Sequence, residues 1–220
     1  MKKGVLDQSS ILYWQKNSLV YIDTRQRQTH LIPDPPQTDN VGWLIVHSGV
    51  VRELTKSGGY NQSVAECHEA AQWLSPGAVV LSDVSPDLFV DRAAAMPDNL
   101  RHRATHYFGE VARVADGVQA WQESDVACFG SLMNDSCASS IDEYGSGQEE
   151  VIALHQIVSA AAGVYGSRFS GGGYGGVVIG LVDRAQAETA ACQILQEYSQ
   201  MYPELAERAA VYLVENGVPV

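Results

Sequence analysis

The sequence feature that most limits the fold is a cluster of glycines between two β-like runs. The cluster reads Ser170-Gly171-Gly172-Gly173-Tyr174-Gly175-Gly176, and a β-branched run, residues 177–182, follows it. The letters contain G-x-G-x-x-G, but a dinucleotide-binding loop requires a helix directly after the glycines. Because a strand is expected there, the sequence excludes a Rossmann site and predicts a hairpin whose first strand is Val164–Phe169. A P-loop motif, G-x-x-x-x-G-K-S/T, does not occur in the sequence.

Five glycines in six positions need a reason, since each one costs backbone entropy on folding. One explanation is a wide, bulged turn. The other is a loop whose backbone must approach a ligand, or another loop, without side chains in between. The sequence alone leaves both explanations open.

The rest of the chain predicts a mixture of helices and antiparallel strands. The strongest helical signal runs from residue 98 to residue 121, where apolar residues recur with a period of about 3.6 residues. Further helices are predicted at residues 61–74, 125–136, 148–162 and 184–200. Strands are predicted at 43–46, at 210–214, and within a region of short β-like runs, residues 9–33, where 18–22 is the clearest. Because the connections are too short for parallel crossovers, the fold class is α+β with mostly antiparallel strands.

The charge of the chain limits its partners. Its 220 residues carry a formal net charge of -12, which repels nucleic-acid phosphates, so no nucleic-acid partner is expected. The same field disfavours anionic nucleotides, and any phosphate site must be local, built from backbone N–H groups or a bound cation. No apolar run is long enough to cross a bilayer and no signal-peptide pattern follows Met1, which predicts a cytoplasmic protein without a membrane partner.

Neither the cysteines nor the histidines predict a metal site or a disulfide framework. The four cysteines are widely spaced without a C-x-x-C, and Cys67, Cys128 and Cys192 fall in helix-like patterns. This predicts reduced thiols used as small apolar residues. His102 and His106 stand four residues apart on the long predicted helix, but no third ligand is evident nearby, so no metal is predicted there.

Four segments, in order along the chain, resemble the motifs of one kinase family. They are Gly4-Val5-Leu6-Asp7-Gln8; Ser48-Gly49-Val50-Val51-Arg52 followed by Gly59-Tyr60-Asn61 and Glu66-Cys67; Arg103-Ala104-Thr105-His106; and the glycine cluster with its flank, residues 163–170. Together they resemble the galactokinase branch of the GHMP kinases over essentially the whole chain. The segments 7–12, 139–141, 144–147 and 163–170 are more similar to the galacturonate-phosphorylating members than to ordinary galactokinases.

The chain also departs from the family pattern. Residues 61–64 lack the arginine that often follows Tyr-Asn, and Cys137 stands where galactokinases usually carry histidine. The galactose-recognition motif and serine-rich phosphate loop of the family would precede Gly4, where three residues stand. The resemblance therefore implies a remnant of the N-terminal domain at residues 1–40. It implies a GHMP-kinase C-terminal domain, a ferredoxin-like α/β sandwich, at residues 41–220.

The resemblance implies an ATP-dependent sugar 1-kinase that uses Mg²⁺ and phosphorylates the anomeric hydroxyl of galactose or galacturonate. Asp7 would be the catalytic carboxylate that orients this hydroxyl. The remaining implied site residues are Gly4, Tyr60 and Arg52 for the sugar, and Gly171, Gly172 and Gly173 for the nucleotide. By residue type alone, Asp7 is better explained as an N-cap or turn aspartate. Tyr60 alone is equally a surface anchor, and Arg52 is more simply an ion-pair partner.

An alternative of another class is a non-catalytic sugar-binding paralogue or sensor that keeps the fold without turnover. The lost N-terminal motifs favour this alternative, and Asp7 argues against it. In either case the 220 residues alone are expected to be inactive as a kinase and to associate through an exposed apolar face. The site hypothesis depends on one placement, in which Asp7 and the glycine hairpin border a single sugar pocket.

Overall fold

A computed structural model describes residues 6–51, 59–215 and 218–219, with the backbone alone for residues 6, 7, 59, 60, 215, 218 and 219. The chain is α+β with antiparallel sheets, as the sequence predicts. Its helices are α1 (Leu6–Tyr13), α2 (Gly59–Leu74), α3 (Pro86–Arg92), α4 (Asp98–Gln122), α5 (Val126–Asp142), α6 (Glu149–Ala160) and α7 (Ala187–Met201). Its strands are β1 (Ser18–Asp23), β2 (Gln28–Pro33), β3 (Val41–His47), β4 (Val164–Phe169), β5 (Val177–Asp183), β6 (Ala210–Glu215) and β7 (Val218–Pro219).

Strands β3 to β7 form one sheet in the order β4-β5-β3-β6-β7, and every neighbouring pair is antiparallel. Strand β3 lies at the centre, where Leu44 is opposite Gly180 on one side and Leu213 on the other. Leu44 and Val46 are fully buried with residues of α6 and α7, including Leu154 and Ile194. Each such side chain contributes about 1.5–3 kcal/mol when it leaves water, so this face of the sheet forms the main core.

The opposite face of the sheet is covered by α4, α5 and the β1–β2 hairpin. Trp43 and Leu181 pack there against Trp121 of α4 and Met133 of α5. The ring centroids of Trp43 and Trp121 are 6.1 Å apart. The indole N–H of Trp121 also donates a hydrogen bond of 3.2 Å to the Asp34 carboxylate, which fixes the end of the hairpin on the helix.

The β1–β2 hairpin is a separate two-stranded sheet rather than an extension of the five-stranded one. Its residues pair in register from Ser18 with Pro33 to Asp23 with Gln28. Leu19 and Ile32 face the aromatic core beneath them. The hairpin precedes β3, so the break between the sheets lies near residue 40. The division into units 1–40 and 41–220 stays a prediction.

Helices α2 and α4 enclose a further core with the segment that joins them. Its fully buried members are Ala70, Ala71, Leu74 and Ala104, and the small alanines let the two helices approach closely. Within the described ranges, no helix has the length and apolar character that a bilayer span requires.

Two expectations from the sequence were wrong. Residues 9–33 were expected to form short β-like runs, but α1 occupies Leu6–Tyr13. A run this short carries little propensity information, and its surroundings decide its conformation. Cys128 and Cys192 are exposed, so they do not serve as buried apolar residues, and Cys137 is the buried thiol instead. All four cysteines are free thiols.

Candidate functional site

The glycine cluster forms the predicted hairpin between β4 and β5. The N–H of Ser170 donates to the carbonyl of Val177 at 2.9 Å and closes the turn. Gly171, Gly173, Gly175 and Gly176 all have positive φ, from +67° to +140°, a region in which other residues are strained. The turn therefore uses the glycines for their conformational freedom.

Two of these glycines also allow close packing against other loops. A Cβ on Gly173 would lie 2.6 Å from the Phe169 ring and 3.0 Å from the Cα of Gly147. A Cβ on Gly175 would lie 3.1 Å from the carbonyl oxygen of Val50. The cluster thus brings its backbone against neighbouring loops, which was one of the two explanations that the sequence left open.

The backbone N–H groups of this loop point to a possible binding function. Among the residues that the structure describes, no acceptor takes a hydrogen bond from the N–H groups of residues 171–176. Gly171 and Gly176 have open space where a side chain would stand. Free, closely spaced N–H groups on a glycine backbone can bind an anionic or hydroxyl oxygen.

The segment that begins at Ser48 lies directly beside the loop. The Ser48 backbone N–H and side-chain hydroxyl both donate to the carbonyl of Gly176, each at 2.9 Å. The carbonyl of Ser48 accepts a 3.0 Å hydrogen bond from the Tyr198 hydroxyl, and the Val50 N–H donates to the Ser48 Oγ at 3.2 Å. Buried Ser48 therefore joins two of the family-like segments.

The start of α6 and the buried end of α5 complete the surroundings of the loop. The Gln148 N–H donates to the carbonyl of Gly173 at 2.8 Å.

Burial raises the pKa of the Cys137 thiol to about 11, against the opposing effect of a hydrogen bond with the Phe169 backbone. Cys137 is therefore a protonated, packed thiol at neutral pH and not a nucleophile.

The structure places the sequence-predicted site residues unevenly. Gly4 and Arg52 lie outside the described residues. Asp7 lies in the first turn of α1 and Tyr60 in the first turn of α2, and for both the backbone alone is described. Helix α1 contacts β1. A single pocket shared by Asp7 and the glycine loop therefore stays a prediction.

Sequence reasoning missed an ion pair that joins two family-like segments. The Arg103 Nε of α4 donates to the Glu66 Oε2 of α2 at 2.7 Å, and both side chains are largely buried. Burial by itself would raise the pKa of Glu66, but hydrogen bonds from Gln62 and Arg103 outweigh it, and the pKa is lowered. Glu66 is therefore a structural carboxylate.

The same arginine reaches a third segment. Arg103 Nη1 donates to the carbonyl of Glu143 at 2.9 Å, and its guanidinium carbon lies 5.3 Å from the centre of the Tyr144 ring. Glu66, Arg103 and Tyr144 belong to separate family-like segments, and their spacing along the chain does not predict that they meet. Only the charge complementarity of Glu66 and Arg103 offered a signal.

The two histidines of α4 face different partners. His102 contacts the Glu143 carboxylate, whereas His106 Nδ1 lies 2.9 Å from the Ser139 Oγ. In the described part of the chain, no group of three or more His, Cys, Asp or Glu residues is arranged to hold a metal ion.

Residues 118–200 match the family described as GHMP kinases C terminal. The chain therefore contains a GHMP-kinase C-terminal domain. The match spans α5, α6, the glycine hairpin and α7, which are the elements that enclose the loop described above.

Within this class, the relatives of the chain are sugar kinases. It is 36% identical over 226 residues to galacturonokinase of Arabidopsis thaliana, an alignment covering 100% of this chain and 52% of that protein. It is 35% identical over 199 residues to galactokinase of Roseiflexus sp. (strain RS-1), covering 89% and 50% respectively. Human galactokinase is 34% identical, with 90% of this chain and 49% of that protein covered. The chain thus spans about half the length of these relatives.

Two solved kinase structures superpose on this chain. The crystal structure of Lactococcus lactis galactokinase complexed with galactose superposes with a TM-score of 0.86 at 25% identity, covering 100% of this chain and 56% of that one. The structure of L. major mevalonate kinase in complex with R-mevalonate superposes with a TM-score of 0.51 at 17% identity, covering 91% of this chain and 49% of that one. The second similarity concerns the fold alone.

Proposed function

We propose that this chain is the C-terminal part of an ATP-dependent sugar 1-kinase. In this proposal the γ-phosphate of ATP passes to the anomeric hydroxyl of a galactose-like sugar. The observation that carries the proposal is the similarity of the chain, over 89% to 100% of its own length, to galactokinases and to galacturonokinase. The glycine loop with unused N–H groups beside Ser48 supports it, because phosphoryl transfer depends mainly on positioning and on donors directed at charge.

Asp7 is the proposed catalytic carboxylate. It would accept a hydrogen bond from the anomeric hydroxyl and orient that oxygen toward phosphorus. The sugar hydroxyl is a much weaker acid than a carboxylic acid, so its proton would move late, as the P–O bond forms. Gly4 would let the backbone approach the sugar, while Tyr60 and Arg52 would contact it.

The described residues fit one part of a nucleotide site. The N–H groups of Gly171, Gly172 and Gly173 suit an oxygen of ATP or of the sugar, since they are close together and have no acceptor in the described part of the chain. The described residues offer no carboxylate cluster for Mg²⁺. Ligands for the ion would therefore come from elsewhere in the whole protein or from the phosphates themselves.

The identity of the acceptor sugar is part of the proposal. Identity to galacturonokinase and to a galactokinase is nearly equal, 36% and 35%, so overall similarity does not choose between the two sugars. A uronate carboxylate needs a cation for recognition, and Arg52 is the candidate from the quoted motifs. Galacturonate should therefore lose more affinity than galactose when Arg52 is replaced by Met.

A chimera tests the proposal directly. The N-terminal half of Lactococcus lactis galactokinase, joined ahead of Gly4, would be assayed for ADP release with galactose and with galacturonate. We expect sugar-dependent turnover by the chimera and none by the 220 residues alone. Asp7→Asn should lower the turnover of the chimera by about a hundredfold or more, because the amide carries no charge and cannot take up the proton of the hydroxyl.

The matched control is Asp87→Asn, which alters an exposed carboxylate that also lies in the first turn of a helix. Turnover should be unchanged by it. A folded chimera that binds sugar in calorimetry but never releases ADP would instead support the non-catalytic paralogue. Equal turnover of the Asp7→Asn and unaltered chimeras would refute the role of Asp7.

A further inference from the structure

A cavity lies between the β1–β2 hairpin and helices α4 and α5. Its volume is about 430 Å³. Most of its lining is apolar, and two arginines, Arg113 of α4 and Arg168 of β4, also line it. We refer to it as the arginine cavity. Glu110, Ser136 and Phe129 are also among the residues that line it.

Both arginines have buried nitrogen atoms without a partner. Among the described residues, neither Arg113 Nη2 nor Arg168 Nε has a hydrogen-bond acceptor. Arg113 uses its Nε for the Glu110 carboxylate at 2.6 Å, whereas none of the ion pairs between described residues includes Arg168. A buried guanidinium donor without an acceptor is costly, so these donors require an explanation.

The cavity has an excess of positive charge. Glu110 is already engaged, since its second oxygen accepts a 2.8 Å hydrogen bond from the Ser136 hydroxyl. One carboxylate and two guanidinium groups leave one net positive charge on the lining. This local excess stands in a chain whose formal net charge is -12.

Both arginines affect the pKa of the neighbouring His106. Burial is the main reason why the pKa of His106 is lowered; Glu110 opposes this shift, and Arg113 and Arg168 add to it. Both cations therefore lie near the same imidazole, and this imidazole is neutral at pH 7. A neutral histidine supplies no charge to balance the arginines.

The helix backbone is shaped to hold one arginine in place. Gly109 stands in the middle of α4, where glycine costs about 1 kcal/mol relative to alanine. A Cβ at this position would lie 2.9 Å from Arg113 Nη2, so the missing side chain leaves room for the guanidinium against the helix. The Arg113 guanidinium is thus held against α4 at the wall of the cavity.

We propose that the arginine cavity binds a small amphiphilic monoanion, with its anionic group between Arg113 and Arg168 and its apolar body among the aliphatic and aromatic lining. One negative charge matches the one excess positive charge. A carboxylate accepts several hydrogen bonds from guanidinium groups, and the apolar lining fills with hydrocarbon. This site is separate from the glycine loop, and the inference does not depend on the kinase proposal.

The experiment uses the 220-residue chain and octanoate as the probe. Binding would be followed by calorimetry and by NMR shifts of α4 and β4, with 1-octanol and acetate as comparison probes. Octanoate should bind more tightly than either by on the order of tenfold, because only octanoate engages both halves of the cavity. Equal binding of 1-octanol and octanoate, or of acetate and octanoate, would overturn the proposal.

Arg168→Met is the decisive variant, because it removes a charge that forms no ion pair with any described residue. Octanoate affinity should fall on the order of tenfold. Without octanoate the variant should unfold at the same or a higher temperature, since a half-buried arginine with a buried, unpartnered Nε is gone. The control Arg208→Met alters an exposed arginine that does not line the cavity and should leave affinity unchanged.

A blocking variant keeps the proposal testable if Arg168→Met fails to fold. Gly117 lies on the cavity wall, and a Cβ there would meet the Phe129 ring at 3.7 Å, an ordinary contact. Gly117→Met should therefore fold, fill the cavity and abolish octanoate binding. Retained binding in folded Gly117→Met, or lower stability of ligand-free Arg168→Met with unchanged binding, would contradict the inference.

Discussion

At the scale of single residues, two helical glycines show how alike positions differ in their surroundings. Gly117 of α4 and Gly130 of α5 both lie inside helices, and both are buried. A Cβ on Gly117 would make only ordinary contacts with Phe129. A Cβ on Gly130 would lie 2.4 Å from the carbonyl oxygen of Tyr165, because α5 packs directly on the backbone of β4.

The two alanine substitutions should therefore have opposite effects. Gly117→Ala should raise the free energy of unfolding by about 0.5–1 kcal/mol, since alanine lowers the entropy of the unfolded chain. Gly130→Ala should lower it by about 2–3 kcal/mol or more, because rigid backbone atoms must separate. Urea unfolding of both variants measures this, and a change of the same sign in both would be contrary to the packing described.

The glycine loop shows what the sequence could and could not predict at this scale. The β-branched run after Gly176 was sufficient to predict a hairpin and to exclude a Rossmann turn. Which glycine serves which purpose was not predictable, because the close approach of Gly173 to Gly147 joins residues far apart in the chain. Such contacts have no local signature.

A buried histidine predicts how stability depends on pH. His155 of α6 lies in the main core, hydrogen-bonded to the Ser167 Oγ at 2.8 Å, and burial lowers its pKa from the ordinary value of 6.5. Below that value the unfolded chain takes up a proton that the folded chain resists. Its contribution to stability is therefore complete above about pH 6.5 and is lost as the pH falls toward the lower, folded-state pKa.

Replacing this histidine should weaken the pH dependence. Between about pH 7.5 and pH 5.5, the free energy of unfolding of His155→Gln should fall less than that of the unaltered chain. His106 shifts in the same direction and stays in the variant, so part of the dependence remains. Denaturant titrations at several pH values give the comparison, and parallel curves for the two proteins would refute it.

At the scale of elements, Arg103 connects three helices. It pairs with Glu66 of α2 from its place on α4, and it donates to the last turn region of α5 at Glu143. Glu66 and Arg103, which belong to two of the family-like segments, therefore hold these helices together.

Removing the arginine should destabilise the protein strongly. Arg103→Met leaves the buried Glu66 carboxylate without its cation, and this should cost about 3–5 kcal/mol. The double variant Glu66→Gln with Arg103→Met should be more stable than Arg103→Met alone, because no uncompensated charge remains. Thermal and urea unfolding of the single and double variants test this, and a double variant less stable than Arg103→Met would disprove the charge argument.

The elements themselves were largely predictable, and the exceptions have physical causes. Helices α2, α4, α5, α6 and α7 and strands β3 to β6 follow from long periodic or β-branched runs. Helix α1 did not, because eight residues containing Ile11 and Tyr13 give no strong preference. The ion pair of Glu66 and Arg103 could not be predicted from the sequence either, since pairing across helices depends on the tertiary fold.

At the scale of the whole molecule, exposed apolar side chains favour self-association and the net charge opposes it. The end of α1 presents Ile11 and Leu12 at 80% and 75% exposure, with half-exposed Tyr13 and Trp14 beside them. A contiguous exposed patch of this kind is typical of a surface that packs against something else. The net charge of -12 opposes association of two copies at long range.

This balance predicts that the 220-residue chain associates with itself, and more strongly as salt is raised. Salt screens the repulsion between acidic molecules but leaves apolar contact intact, so sedimentation velocity at about 500 mM NaCl should show more dimer than at about 50 mM. Ile11→Ser with Leu12→Ser should restore the monomer at both salt concentrations. Val90→Ser, which changes a residue 73% exposed on α3, should not. Dissociation on adding salt would mean that ion pairs hold the copies together, and then the apolar end of α1 would not be the surface through which they meet.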